Sequence, residues 1–160
     1  MKKSQVCRRI LRLLFSVLPL LAVVPASAQT AEIMDRIIAS PGLDLTQATY
    51  MVFVASGKLA EDSSTDQAYA LVQDLKWLAD TGNPVRQVKI SEFAYLMTRA
   101  FGLPTSLLGQ TFPGPRYSYR ALVFRGLIPP NIDPESPVSG SDAVRILGKV
   151  MDTLPQGANP

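Results

Sequence analysis

The stretch Val88-Lys89-Ile90-Ser91-Glu92-Phe93-Ala94-Tyr95-Leu96-Met97-Thr98-Arg99-Ala100-Phe101-Gly102 decides the fold, because its pattern occurs twice more in altered letters. One copy starts at Leu43-Asp44-Leu45-Thr46-Gln47-Ala48, the other at Val138-Ser139-Gly140-Ser141-Asp142-Ala143. Apolar residues then recur at matching offsets: Ala48/Met51/Val52/Ala55, Phe93/Leu96/Met97/Ala100 and Ala143/Ile146/Leu147/Val150. That spacing lines one face of an α-helix. The copies lie 45 and 50 residues apart, a period typical of helical repeat modules.

Working outward, a leading helix is expected over Glu32–Ala39, stopped by Pro41-Gly42. The first repeat helix covers 44–56 and ends at Gly57. A longer helix follows, capped by Asp66, with the stripe Ala68/Leu71/Val72/Leu75/Leu78/Ala79, and Gly82-Asn83-Pro84 terminates it. The second repeat helix covers 91–101 with Gly102 as its C-cap. A Gly/Pro-rich loop spans Leu103 to Pro115, a helix runs over Arg116–Arg125, and the third repeat helix covers 139–152. The tail 155–160 reads as disordered. Only Val85–Val88 is open to a strand reading. The class is all-α, in the order A–B–A–B–A after a leading helix, with no B helix after the third A.

Residues 1–28 read as a signal peptide. Lys2, Lys3, Arg8, Arg9 and Arg12 form a basic n-region, Ile10 to Val24 is apolar apart from Arg12, Ser16 and Pro19, and Ala26-Ser27-Ala28 supplies a small-x-small cleavage site. The apolar run falls short of the roughly 20 residues that a spanning helix needs. Export to the periplasm or cell envelope is therefore expected, with 29–160 as one helical domain and no membrane-spanning segment after cleavage. Outer-membrane association or secretion is equally compatible with such a leader. The whole chain is formally +3, but five bases and no acids belong to the leader. The remainder has eleven basic and thirteen acidic residues, a formal −2, which argues against nucleic acid as a partner. The one cysteine, Cys7, lies in the leader, and the chain has no histidine. Cys/His zinc sites, Ser-His-Asp triads and Cys-His dyads are thereby excluded from the domain.

Lys89–Leu103 resembles the opening helix of an S-layer homology (SLH) module, whose pattern there is Thr-Arg-Ala-Glu-Phe followed by an apolar helix ending in Gly-Leu. Tyr117–Ala121, Gly126-Leu127-Ile128 and Val138–Ala143 are similar to the module's second helix, its turn and the start of the next unit. The resemblance covers roughly Leu43 to Met151. It implies a fold of short helix pairs and docking to a cell-wall glycan through an arginine. That arginine's three positions are Leu45, Ile90 and Gly140 here, so the gripping residue is absent from every copy. The motif's Thr and Glu form a capping box. Asp44…Gln47 and Ser139…Asp142 keep that role. Lys89 cannot cap, which leaves Glu92 to favour the helix dipole and Ser91 as the substitute cap.

Three other constellations carry chemistry. Arg116, Tyr119 and Arg120 are the candidate ligand-binding residues, since two guanidinium forks one turn apart and a phenol suit a carboxylate or phosphate on a polymer. Against that stands a solvated helix face with Tyr119 turned inward near Leu122 and Val123. Asn131, Asp133, Glu135, Ser139 and Asp142 match calcium-loop spacing, with Val138 at the eighth position. Ser136 where glycine is needed and Pro129-Pro130 at the entrance count against a metal, and capping explains the same residues. Glu92 and Asp142 invite a hydrolytic carboxylate pair, but both belong to helix starts. Trp77 reads as core or groove lining. The expectation is thus a non-enzymatic envelope protein, without cofactor, that binds or scaffolds cell-wall glycan or an envelope protein. The alternative is a protein–protein interaction module, using Tyr50, Phe53, Phe112 and Phe124 as exposed aromatics.

Overall fold

A computed structural model describes residues 26–154. The leader and the tail expected to be disordered lie outside the described residues, except that Ala26-Ser27-Ala28 begin the first helix. Seven helices and no strand are present among the described residues: α1 Ala26–Ala39, α2 Leu45–Ala55, α3 Thr65–Leu75, α4 Ile90–Ala100, α5 Leu107–Thr111, α6 Pro115–Phe124 and α7 Gly140–Thr153. The domain is all-α, as its periodicity predicts. None of these helices is long and apolar enough to cross a membrane.

The starts of α2, α4 and α7 meet in a closed ring of backbone hydrogen bonds. The Leu43 amide donates to the Val138 carbonyl (2.8 Å), the Val138 amide to Val88 (3.0 Å) and the Val88 amide to Leu43 (2.9 Å). All three side chains are fully buried. A buried peptide group must find a partner, and here the three segments satisfy one another without forming a sheet. Only isolated bridges, Asp44 with Gln87 and Lys89 with Pro137, remain of the strand reading. The first amide of each helix is bonded from the same side: Leu45 to the Arg86 carbonyl, Ile90 to Ser136 and Gly140 to Ser40. Leu43/Ala48, Val88/Phe93 and Val138/Ala143 occupy the N′ and N4 positions of hydrophobic staples, and all six are buried.

Capping follows the sequence with two corrections. Asp44 and Gln47 form a reciprocal box, and Ser139 accepts the Asp142 amide. At α4 the buried Ser91 does not take over: Glu92 reaches back to the Lys89 amide while Arg86 grips both its oxygens (2.8 and 2.9 Å). The N-cap of α3 is Ser64, paired with Gln67, instead of Asp66.

That helix is also shorter than its stripe suggests. Lys76 adopts a left-handed conformation at φ 52 and ends it, so Trp77, Leu78 and Ala79 belong to the return segment. Inside the Gly/Pro loop α5 forms an unanticipated turn and a half. The largest revision concerns the third A helix. It is not left without a partner, because α2 packs on α3, α4 on α6, and α7 on the leading helix α1. Gly140 makes that contact feasible: a Cβ there would lie 1.7 Å from the Ile37 carbonyl oxygen.

Candidate binding site

The structure separates the sequence-predicted trio. Proline at N1 starts α6, which presents Arg116 and Arg120 to solvent and turns Tyr119 into the core. The Tyr119 hydroxyl donates to the Ile132 carbonyl, anchoring the loop after α6. Its phenol is a structural tie, and the two arginines are the groups left for a ligand.

Arg120 lies on the rim of a groove of about 620 Å³ between α6 and the loop Pro104–Ser106. Tyr117, Ala121 and Phe124 form the α6 wall, and Arg125 closes one end by donating to the Pro104 carbonyl (2.7 Å). A second groove, of about 420 Å³, shares Pro104 and Thr105 with the first and is lined by Trp77, Tyr95, Thr98 and Arg99. The Arg99 guanidinium sits 5.6 Å from the Trp77 ring centroid, within cation–π range.

Electrostatics distinguish this side of the molecule. From Phe93 to Ile132 the chain has four arginines and no acidic residue, whereas the rest of 29–160 has seven basic and thirteen acidic residues. None of the ion pairs among the described residues involves Arg99, Arg116, Arg120 or Arg125. The acidic residues flanking the segment are engaged elsewhere: Glu92 with Arg86, and Asp133 with the Glu135 amide of its own turn. No carboxylate within 93–132 offsets its four arginines.

Sequence reasoning named Phe124 only as an exposed aromatic and did not assign Tyr117 or Arg125 to the site, although the absence of acids over 93–132 was a readable signal. It also misjudged two aromatics. Tyr50 and Phe53 are fully buried, while Phe112 is 64% and Phe124 93% exposed. The calcium-loop residues do not converge: Glu135 pairs with Lys89 and Asp142 with Arg145. The three positions of the resembled family's arginine are closed. Leu45, Ile90 and Gly140 are all buried at the ring of helix starts. No family model matches this sequence, and neither a curated protein nor a solved structure matches it.

Proposed function

We propose that this chain is a non-enzymatic, exported envelope module with an SLH-like arrangement of helix pairs, which docks an anionic envelope component through the α4–α6 face. The observation that carries this reading is the acid-free segment 93–132, with Arg120 and Arg125 on the rim of the groove. Guanidinium groups over an apolar floor suit carboxylate or phosphate groups along an extended partner, and a cell-wall glycan is what the resemblance suggests. The ring joining Leu43, Val88 and Val138 supports three helix pairs around one axis. Closure of the Leu45, Ile90 and Gly140 positions argues that any grip lies away from the family's usual place.

The test is co-sedimentation with cell-wall sacculi, half of them stripped by acid of covalently attached polymer. Binding to unstripped sacculi that falls when Arg116 and Arg120 are both changed to Ala, with helical content unchanged, is the expected result. Equal binding by the double variant would overturn the assignment to this face. An envelope protein as partner is the second reading, favoured by the exposure of Phe112 and Phe124.

A further inference from the structure

We propose that the anionic component is the surface of a lipid bilayer, and that α6 with the start of α5 forms an interfacial docking face. This rests on the reading of α4–α6 as an anion-binding face and names its occupant. Two observations favour a bilayer over a hydrated polymer.

The first is the kind of apolar group exposed. Phe124 is 93% and Leu107 82% exposed, and Leu107 adjoins Ser106 of the groove wall that Phe124 also lines. An aromatic ring could stack on a sugar, but an aliphatic leucine offers a sugar no π face and gains only by leaving water. Large apolar side chains held outward beside cationic ones suit a medium that is apolar below and anionic above.

The second is their order along α6. Arg116, Arg120 and Phe124 stand at i, i+4 and i+8, so they form one stripe along the helix. At a rise of about 1.5 Å per residue, Phe124 lies about 6 Å beyond Arg120 along the axis. A modest tilt therefore sinks the phenyl ring below the headgroups, while the arginines extend to phosphate level. The opposite side of α6 is fixed to the domain by Ser118, Tyr119 and Leu122, all buried. The helix thus lies on the membrane as part of a rigid body and does not insert. Neither signal suffices alone, since stable attachment takes an apolar and a basic contribution together.

The test uses the full chain carrying Phe124→Trp, with emission read at that position against the parent protein, which has only Trp77. A probe at 124 reports this face, and loss of its signal on removing Arg116, Arg120 or Leu107 separates docking here from insertion of residues 10–24. Vesicles of phosphatidylcholine are compared with vesicles in which a third of the lipid is phosphatidylglycerol. The expected result is a blue shift and quenching by brominated lipid on the anionic vesicles only. Each arginine removed at 116 or 120 should weaken binding about fivefold. Leu107→Ser should weaken it about tenfold. Absence of any shift overturns the proposal, as does an equal shift on both vesicle types. If vesicles fail while sacculi or dextran sulfate still bind through Arg116 and Arg120, the bilayer is wrong and the anionic-partner reading survives. If all three fail, both readings fall.

Discussion

The pairs α2–α3 and α4–α6 are built alike at their beginnings and differ where they face each other. In both, a buried apolar residue precedes the N-cap, the N3 side chain reaches back to the N-cap amide, and a left-handed glycine follows the A helix, Gly57 in one and Gly102 in the other. Position for position, however, Phe53 of α2 corresponds to Thr98 of α4. Phe53 fills its interface and meets the Trp77 ring edge-on at 5.6 Å between centroids. Thr98 is smaller and bonds Ser118 of α6 (2.8 Å) in a buried hydroxyl pair that lines the second groove. One pair is closed by an aromatic and the other leaves a groove beside small polar residues. Shared letters at the helix starts make the fold, and the unshared ones across the interface set how tightly each pair closes.

Removing the aromatic should damage the closed pair most. Phe53→Ala deletes a fully buried ring and frees Trp77, and a loss of about 4 kcal/mol is expected in denaturant unfolding. A loss below about 1 kcal/mol would show that Phe53 does not close this interface. Next in size, Gly140→Ala asks whether α7–α1 is a third pair of equal standing. The new Cβ collides with backbone, not with a flexible side chain, so about 3 kcal/mol and loss of α1 protection in hydrogen exchange are expected. Protection of α1 equal to that of the parent would mean that the close approach of Gly140 to Ile37 does not hold α1 on α7.

Thr98→Val sharpens the comparison within α4–α6. The isostere keeps the volume but strands the Ser118 hydroxyl in a buried site, for a loss of about 2 kcal/mol. The double variant with Ser118→Ala should recover most of it, and failure to recover would mean the hydroxyl pair is not the coupled unit. Smaller and opposite in sign is Lys76→Gly. The B helix α6 ends in Gly126 at φ 72, whereas α3 ends in a lysine at φ 52. Glycine removes the Cβ strain at that position, so a gain of about 1 kcal/mol is expected, read as a higher midpoint at unchanged m-value.

The same contrast explains what the sequence could convey. Helix-start signals are local: a cap, an N3 partner and a staple sit within six residues, so the three A helices were legible to within a residue or two. The end of α3 was not, because Lys76 has no side-chain signature for a left-handed turn and the stripe simply continues through Leu78. Pairing of α1 with α7 joins the two ends of the described chain, and no short-range pattern carries it. On α6, the one-turn spacing of Arg116 and Arg120 was legible, and both are exposed. The role of Tyr119 was not legible, since it depends on the Ile132 carbonyl thirteen residues away. Tyr50 and Phe53 were misjudged because their partners lie beyond α2: the Glu61 carbonyl, which accepts from the Tyr50 hydroxyl, and the Trp77 ring beside Phe53.

The smallest expected effect separates the helix starts by pH. The Asp142 carboxyl is held below its ordinary 3.8, first by the hydrogen bond from Ser139 and then by Arg145, with partial burial opposing. A depressed folded value means that its contribution is complete above 3.8 and is lost as pH falls through the folded value. Lys89 has the opposite sign. The hydrogen bond and charge of Glu135 raise it above 10.5, so its contribution is present below that value and is lost as pH rises through the folded one. The Asp142 side chain is 37% exposed, and solvent screening keeps its effect under about 1 kcal/mol. Protection at the first turn of α7, taken relative to the intrinsic acid dependence of amide exchange, should therefore fall once the pH drops below 3.8 through the folded value of Asp142. Asp142→Asn should flatten the α7 response and leave that of α2 unchanged. Parallel loss at both starts, with no effect of the substitution, would mean the ring of Leu43, Val88 and Val138 opens as one unit and no single cap sets its acid limit.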